Sequence, residues 1–213
     1  MKPLSEFLGT FILVFTGTGA IVIHQEGVWE FGQLGIAIGF GIGVALGIIL
    51  FGRTSGAHMS PAVTIALALA KKFSWKEVPS YIVAQLLGAS FASWTLHRFF
   101  LGNELLGTTL PSGTTMESFY LEFGLTFFLM LGVLLVSMGK SREAWLAPLL
   151  LGTIVGLEAY FAGPICGASM NPARSFGPAL VSGHFEHLWL YIAAPIGAAV
   201  LIVLLYRGFV KST

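Results

Sequence analysis

Gly56-Ala57-His58-Met59-Ser60-Pro61-Ala62 and Gly167-Ala168-Ser169-Met170-Asn171-Pro172-Ala173 are the same motif written twice, 111 residues apart. In each, a polar residue suited to capping a helix, Ser60 or Asn171, stands directly before a proline suited to the first helical position, Pro61 or Pro172. About ten mainly apolar or small residues follow, too few to cross a bilayer core of roughly 30 Å. Each motif therefore reads as a loop leading into a half-helix that enters the membrane and returns. The surroundings repeat too. Glu6-Phe7 with Thr10-Phe11 matches Glu122-Phe123 with Thr126-Phe127, and Tyr81-Ile82 with Ala84 matches Tyr191-Ile192 with Ala194.

Composition fixes the solvent. Of 213 residues, 55% are hydrophobic and 10% charged, against about 25% charged in an average soluble domain. Soluble and disordered classes are excluded, and a formal charge of +1 argues against nucleic acid as a partner. The single cysteine, Cys166, permits no internal disulfide, and aspartate is absent. No His-Glu-x-x-His spacing occurs either. An enzyme is not expected, nor is a metal or cofactor; the His184/His187 pair is weak as a metal site.

Six stretches are long and apolar enough for transmembrane helices: Leu4 to Ile23, Gln33 to Phe51, Val78 to Leu101, Ser118 to Met138, Ala144 to Gly163 and Leu188 to Phe209. None alternates with period two, which argues against a barrel. The first contains Glu6 and no small-residue cleavage pattern follows it, so it is expected to stay in the mature chain. With both termini cytoplasmic, Lys2, Arg53, Lys71, Lys72, Lys76, Lys140, Arg142, Arg207 and Lys211 fall inside, nine of the eleven basic residues. An integral protein of the plasma (cell inner) membrane is expected.

Three spans and a half-helix per copy is an odd number of crossings, so the second copy enters from the opposite face. That is the inverted-repeat architecture, with its site at the midplane where broken helices meet. The expected organisation is one domain over 1–213: repeat 1 over 1–101, an exterior linker over 102–116 and repeat 2 over 117–213. Irregular backbone at that depth must be buried or line a wet cavity.

These loops, Ser55 to Thr64 and Gly167 to Ser175, resemble the paired Asn-Pro-Ala loops of the aquaporin and glycerol-facilitator family, and the resemblance extends over essentially the whole chain. Tyr191-Ile192 is similar to the plant nodulin-like branch. The resemblance implies an aquaporin-like all-α membrane protein of six transmembrane helices plus two re-entrant half-helices. It also implies a homotetramer with one pore per protomer. Two constrictions are implied: the half-helix tips Ser60, Pro61, Ala62, Asn171, Pro172 and Ala173, and an outer filter at Phe40, Ala159, Ala168 and Arg174. Each half-helix N-terminus carries about half a positive charge and free N–H groups, which opposes cations and protons while binding neutral oxygens.

Three positions depart from the family pattern. Ser60 replaces the usual Asn, which removes one donor while still offering a cap. Ala159 stands where water-selective members carry His, and Ala168 where glycerol-selective members carry a second aromatic residue. The aperture beside Phe40 and Arg174 should therefore be wide. Ser175 and Ala179, in contrast, resemble the water-selective type.

The expected function is a passive channel for water and small uncharged solutes such as glycerol or a neutral metalloid hydroxide like arsenous acid, excluding ions and protons. The alternative is an ion- or proton-coupled secondary transporter on the same scaffold, with Glu122 or Glu158 as coupling group. Glu6 and Glu122, ionisable groups within spans, are expected to anchor loop backbone. Glu158 is either a buried anchor or a pore-facing element. His58 either packs in its loop or lines the pore. Cys166, assigned to the outer loop, is either reactive or inert. Gly35, Gly39, Gly43 and Gly47, echoed by Gly152 and Gly156, read as close helix crossings, and Trp29, Trp75, Trp145 and Trp189 as interfacial anchors.

Overall fold

The computed structural model describes residues 1–30, 32–138 and 145–211; the sequence assignments at Lys140, Arg142 and Ala144 lie outside them. Eight helices and no strand occur among the described residues: α1 (Lys2–Gln25), α2 (Gly32–Ser55), α3 (Pro61–Leu69), α4 (Val78–Phe99), α5 (Thr115–Met138), α6 (Leu146–Cys166), α7 (Pro172–Ser182) and α8 (Leu188–Lys211). Six are long. α3 and α7, of 9 and 11 residues, are the two half-helices, each starting at its proline.

Five of the six long helices are apolar enough to span by length and composition alone. The sixth, α4, is diluted by polar residues that the fold turns inward, with Gln85 and Ser93 fully buried. The apolar surface faces outward instead. Leu34, Ile38 and Ile49 on α2 and Leu149, Leu157 and Phe161 on α6 are each at least half exposed. Exposed apolar surface of this extent calls for a membrane or another protein surface against it.

Helix α6 runs three residues beyond the expected end at Gly163. Pro164 lies inside its last turn and withdraws one N–H from the ladder, and the helix stops at Gly167, whose φ of +85° closes a left-handed cap onto the Gly163 carbonyl. Cys166 consequently lies in the helix, fully buried, with its thiol on the Ala162 carbonyl. The inert reading of that cysteine holds, and its assignment to the outer loop does not.

Packing joins the halves symmetrically. Helix α1 packs on α2 and α4, and α5 on α6 and α8. Each half-helix leans on the last helix of the opposite half, α3 on α8 and α7 on α4. Helices α2 and α6 cross where Gly41 meets Gly152, residues related by the same 111-residue offset as the motifs. A Cβ on Gly41 would lie 2.8 Å from the Gly152 carbonyl oxygen, and one on Gly152 would lie 2.7 Å from that of Gly41. Gly17 has a comparable role, since a Cβ there would run into the Phe40 ring.

Because backbone faces backbone at the α2–α6 crossing, no side-chain rotation relieves a bulky residue. Gly152→Val should lower stability by about 1–3 kcal/mol, the range for overpacking, read as a fall in the thermal midpoint of the detergent-solubilised protein. Gly208→Ala, at a helical glycine with open space around it, should not lower the midpoint.

Candidate functional site

The two loops before the half-helices share an unusual backbone. Ala57 and Met59 have φ of +47° and +51°, and their repeat partners Ala168 and Met170 have +41° and +53°. Left-handed conformations cost a non-glycine residue about 1–3 kcal/mol each and persist only where the surroundings over-determine them. Here a buried carboxylate does so in each half. Glu6 accepts the His58 and Met59 amides at 3.0 and 2.8 Å. Glu122 accepts those of Ser169 and Met170 at 2.6 and 2.8 Å. Both glutamates are completely buried. Tyr81 and Tyr191 add matching ties, each donating over 2.8 Å to the last carbonyl of the preceding helix, Ser55 or Cys166.

The caps of the half-helices differ. Asn171 Oδ1 accepts from the Ala173 and Arg174 amides at 3.0 and 3.4 Å, and Nδ2 donates across the repeat to the Met59 carbonyl at 2.7 Å. One side chain therefore caps its own helix and binds the residue before the other cap. The tips meet. Ser60 is too short to return the bond: α3 begins without a side-chain cap, and Ser60 Oγ has no hydrogen-bond partner among the described residues. The capping expected of Ser60 is not realised, yet α3 forms because its packing against α8 and α4 carries it.

A cavity of about 530 Å³ threads this junction. Phe40, Ala168 and Arg174 line one end, Ser60 and Asn171 the middle, and Lys72, Ser137 and Ala147 the other end. Its walls between are mostly apolar, including Val44, Leu129 and Val155. Arg174 is fully buried; its guanidinium lies 4.9 Å from the Phe40 ring centroid, and Nη1 donates to the Gly107 carbonyl at 2.7 Å. Nε makes no hydrogen bond among the described residues. Ala159 belongs to the same apolar cluster as Phe40 and Ala168 but does not itself line the cavity, and its carbonyl is tied to Gln33 Nε2 at 2.7 Å. The small side chain thus leaves room beside the other three positions.

His58 lines the cavity and is packed as well. Its ring stands against Phe73 and Tyr81 with centroids 4.7 and 5.1 Å away, and Nδ1 meets Thr64 Oγ1 at 3.2 Å. Thr64 donates to the Ser60 carbonyl, and Gln85 bridges Thr64 and Glu6. Glu158 has one buried oxygen without a partner among the described residues and does not line the cavity, so its pore-facing reading is not what the fold realises.

Several contributors escaped the sequence reading. The linker is more than an exterior connection: Leu106 is buried, Gly107 holds Arg174, and Thr109 donates to Ser175 Oγ at 2.8 Å. Gln85, a polar residue inside a span, was a visible signal for its buried network. Gly107 carried none, since it acts through its carbonyl.

A six-span bundle with facing half-helix tips and a cavity threading between them defines an integral membrane channel rather than an enzyme. A profile of the major intrinsic protein family matches residues 1–206. Aquaporin NIP1-1 of Oryza sativa subsp. japonica is 42% identical over 200 residues, spanning 93% of this chain and 70% of that protein. Nodulin-26 of Glycine max is 40% identical over 200 residues, spanning 93% of this chain and 74% of that one. Among solved structures, the aquaglyceroporin from Plasmodium falciparum superposes with a TM-score of 0.83 at 28% identity, covering 96% of this chain and 94% of that chain. The chain belongs to the major intrinsic protein family, and it is a passive membrane channel for water and small solutes.

Because both Glu122 oxygens accept backbone amides, Glu122→Gln turns an amide N–H toward one of them. Destabilisation of about 1–3 kcal/mol is expected for that broken pairing. The checks are a lowered thermal midpoint together with reduced osmotic water flux in proteoliposomes.

Proposed function

We propose that the pore admits uncharged solutes of glycerol size as well as water, and that neutral metalloid hydroxides such as arsenous acid belong to the same permeant class. The observation that carries this is the filter end of the cavity: one aromatic wall, Phe40, faces Arg174, and only Ala168 and the nearby Ala159 stand where bulkier side chains would close the gap. The Phe40 face takes a solute's carbon side and the Arg174 guanidinium its hydroxyls. Arg174 Nε, buried without a partner among the described residues, supplies a donor whose desolvation, worth about 1–3 kcal/mol, a passing hydroxyl relieves.

In this reading Ser60, Pro61, Ala62, Asn171, Pro172 and Ala173 form the central constriction, and Phe40, Ala159, Ala168 and Arg174 the selective one. The positive ends of α3 and α7 and the Arg174 charge oppose cations and hydronium. Asn171 Nδ2, one of whose hydrogens is held by Met59, keeps a second donor for the solute. Glu6 and Glu122 are both engaged in anchoring the loops, and Glu158 does not line the cavity, which disfavours the transporter alternative. The chain acts as one channel domain, 1–213, built of repeats 1–101 and 117–213 around the linker 102–116. Each protomer of a homotetramer carries its own pore, in the plasma membrane with both termini cytoplasmic.

Stopped-flow light scattering on proteoliposomes tests this. Wild-type protein should pass water, glycerol and arsenous acid at rates unaffected by a protonophore; uptake that needs a proton gradient would refute the channel. Ala159→His should cut glycerol flux about tenfold, equivalent to about 1.4 kcal/mol of barrier, while water flux persists. Equal loss of both would contradict the filter assignment.

A further inference from the structure

The cavity has a second end, opposite Arg174, where α3 stops. Lys71 closes that helix with a φ of +60°, its amide on the Ala68 carbonyl. Lys72 and Phe73 then both donate their amides to the Leu67 carbonyl, at 2.9 and 3.2 Å. Phe73 is wedged between His58 and Tyr81, with centroids 4.7 and 4.6 Å away, so the backbone that carries Lys72 is held from both sides. From there the Lys72 side chain crosses the mouth to the last turn of α5, where Nζ donates to the Ser137 carbonyl at 3.2 Å.

Both Lys72 and Ser137 line the cavity at this end. The Ser137 hydroxyl donates back to the Leu134 carbonyl at 2.7 Å. The Ser137 carbonyl belongs to the last turn of a helix, at its negative end, and among the described residues Lys72 Nζ is its side-chain donor. Lys72 likewise sits at the negative end of α3, whose Leu69 carbonyl takes Arg207 Nη1 at 3.4 Å. An ammonium group is thus the complement of two helix C-termini that converge on one opening.

We infer that Lys72 is a specificity-determining residue: a bar tethered from the α3 end to the Ser137 carbonyl, which narrows the mouth opposite the filter and slows solutes larger than water. The tether joins the first repeat to the second, so it restricts the opening only while both are in place. A single exposed hydrogen bond breaks and re-forms easily. Water therefore passes beside the bar, and a glycerol-sized solute must displace it. The wide aperture at Ala159 and Ala168 is then balanced by a second restriction on the other side.

This inference rests on the neutral-solute channel reading, and one experiment separates their failures. Water and glycerol fluxes would be measured in proteoliposomes for wild type, Lys72→Ala, Lys72→Met and Lys72→Arg, with thermal midpoints as a folding control. Lys72→Ala and Lys72→Met should raise glycerol flux about fivefold, the ratio that about 1 kcal/mol of barrier produces, with a smaller change for water. Lys72→Arg, which keeps a donor for Ser137, should stay near wild type. Fluxes unchanged in both Lys72→Ala and Lys72→Met would overturn the inference while leaving the channel intact. A rise in Lys72→Ala alone would assign the restriction to bulk and overturn the tether. A wild type impermeable to glycerol would instead refute the solute reading.

Discussion

Two carboxylates, Glu6 and Glu122, hold the centre of this protein together. Each is fully buried, and each accepts two successive backbone amides from a loop in a left-handed conformation. The loop amides turned away from the cavity toward buried Glu6 and Glu122 have no solvent to complete their hydrogen bonds, so without those acceptors the strained residues at Ala57, Met59, Ala168 and Met170 would relax. Relaxation would withdraw the half-helix tips from each other. The bond from Asn171 to the Met59 carbonyl, and the cavity that threads between the tips, depend on that geometry.

The chain solves one problem twice and then breaks the symmetry at the half-helix tips and at the two ends of the cavity. Glutamate anchors, tyrosine ties, left-handed residues and proline starts all come in pairs, and the glycine contact between α2 and α6 joins residues related by the same offset. Asn171 and Ser60, by contrast, are unequal caps. Among the described residues the buried arginine belongs to the second repeat and its acceptor, Gly107, to the linker. The repeated parts hold the path open, and the unpaired ones give its two ends different chemistry: a guanidinium against an aromatic ring at one, an ammonium on a helix carbonyl at the other.

Membrane solvation explains why so little charge is needed. With lipid outside, apolar side chains point outward and the small polar inventory turns inward, as Gln85, Ser93, Thr64 and Ser175 do. Such groups link into continuous networks, among them Glu6–Gln85–Thr64–Ser60 and Thr109–Ser175–Ser169. The second network ties the linker directly to the loop that carries Ala168, so that loop is braced by the linker as well as by Glu122.

The sequence by itself determined the spans, the duplication, the two half-helix starts and the glutamates beside them. Those features are written in hydropathy, in proline position and in a repeat spacing, all of which are local or periodic properties of the chain. Tertiary structure alone decided which atoms face which. It put Asn171 on the Met59 carbonyl, Arg174 on Gly107, Lys72 on Ser137 and Cys166 inside a helix. Contacts of that kind use backbone carbonyls, which every residue possesses and no motif can mark, and they join segments far apart in the chain. Packing also overruled one local expectation, since α3 forms although Ser60 does not cap it: burial against α8 and α4 stabilises a short helix more than one capping bond does.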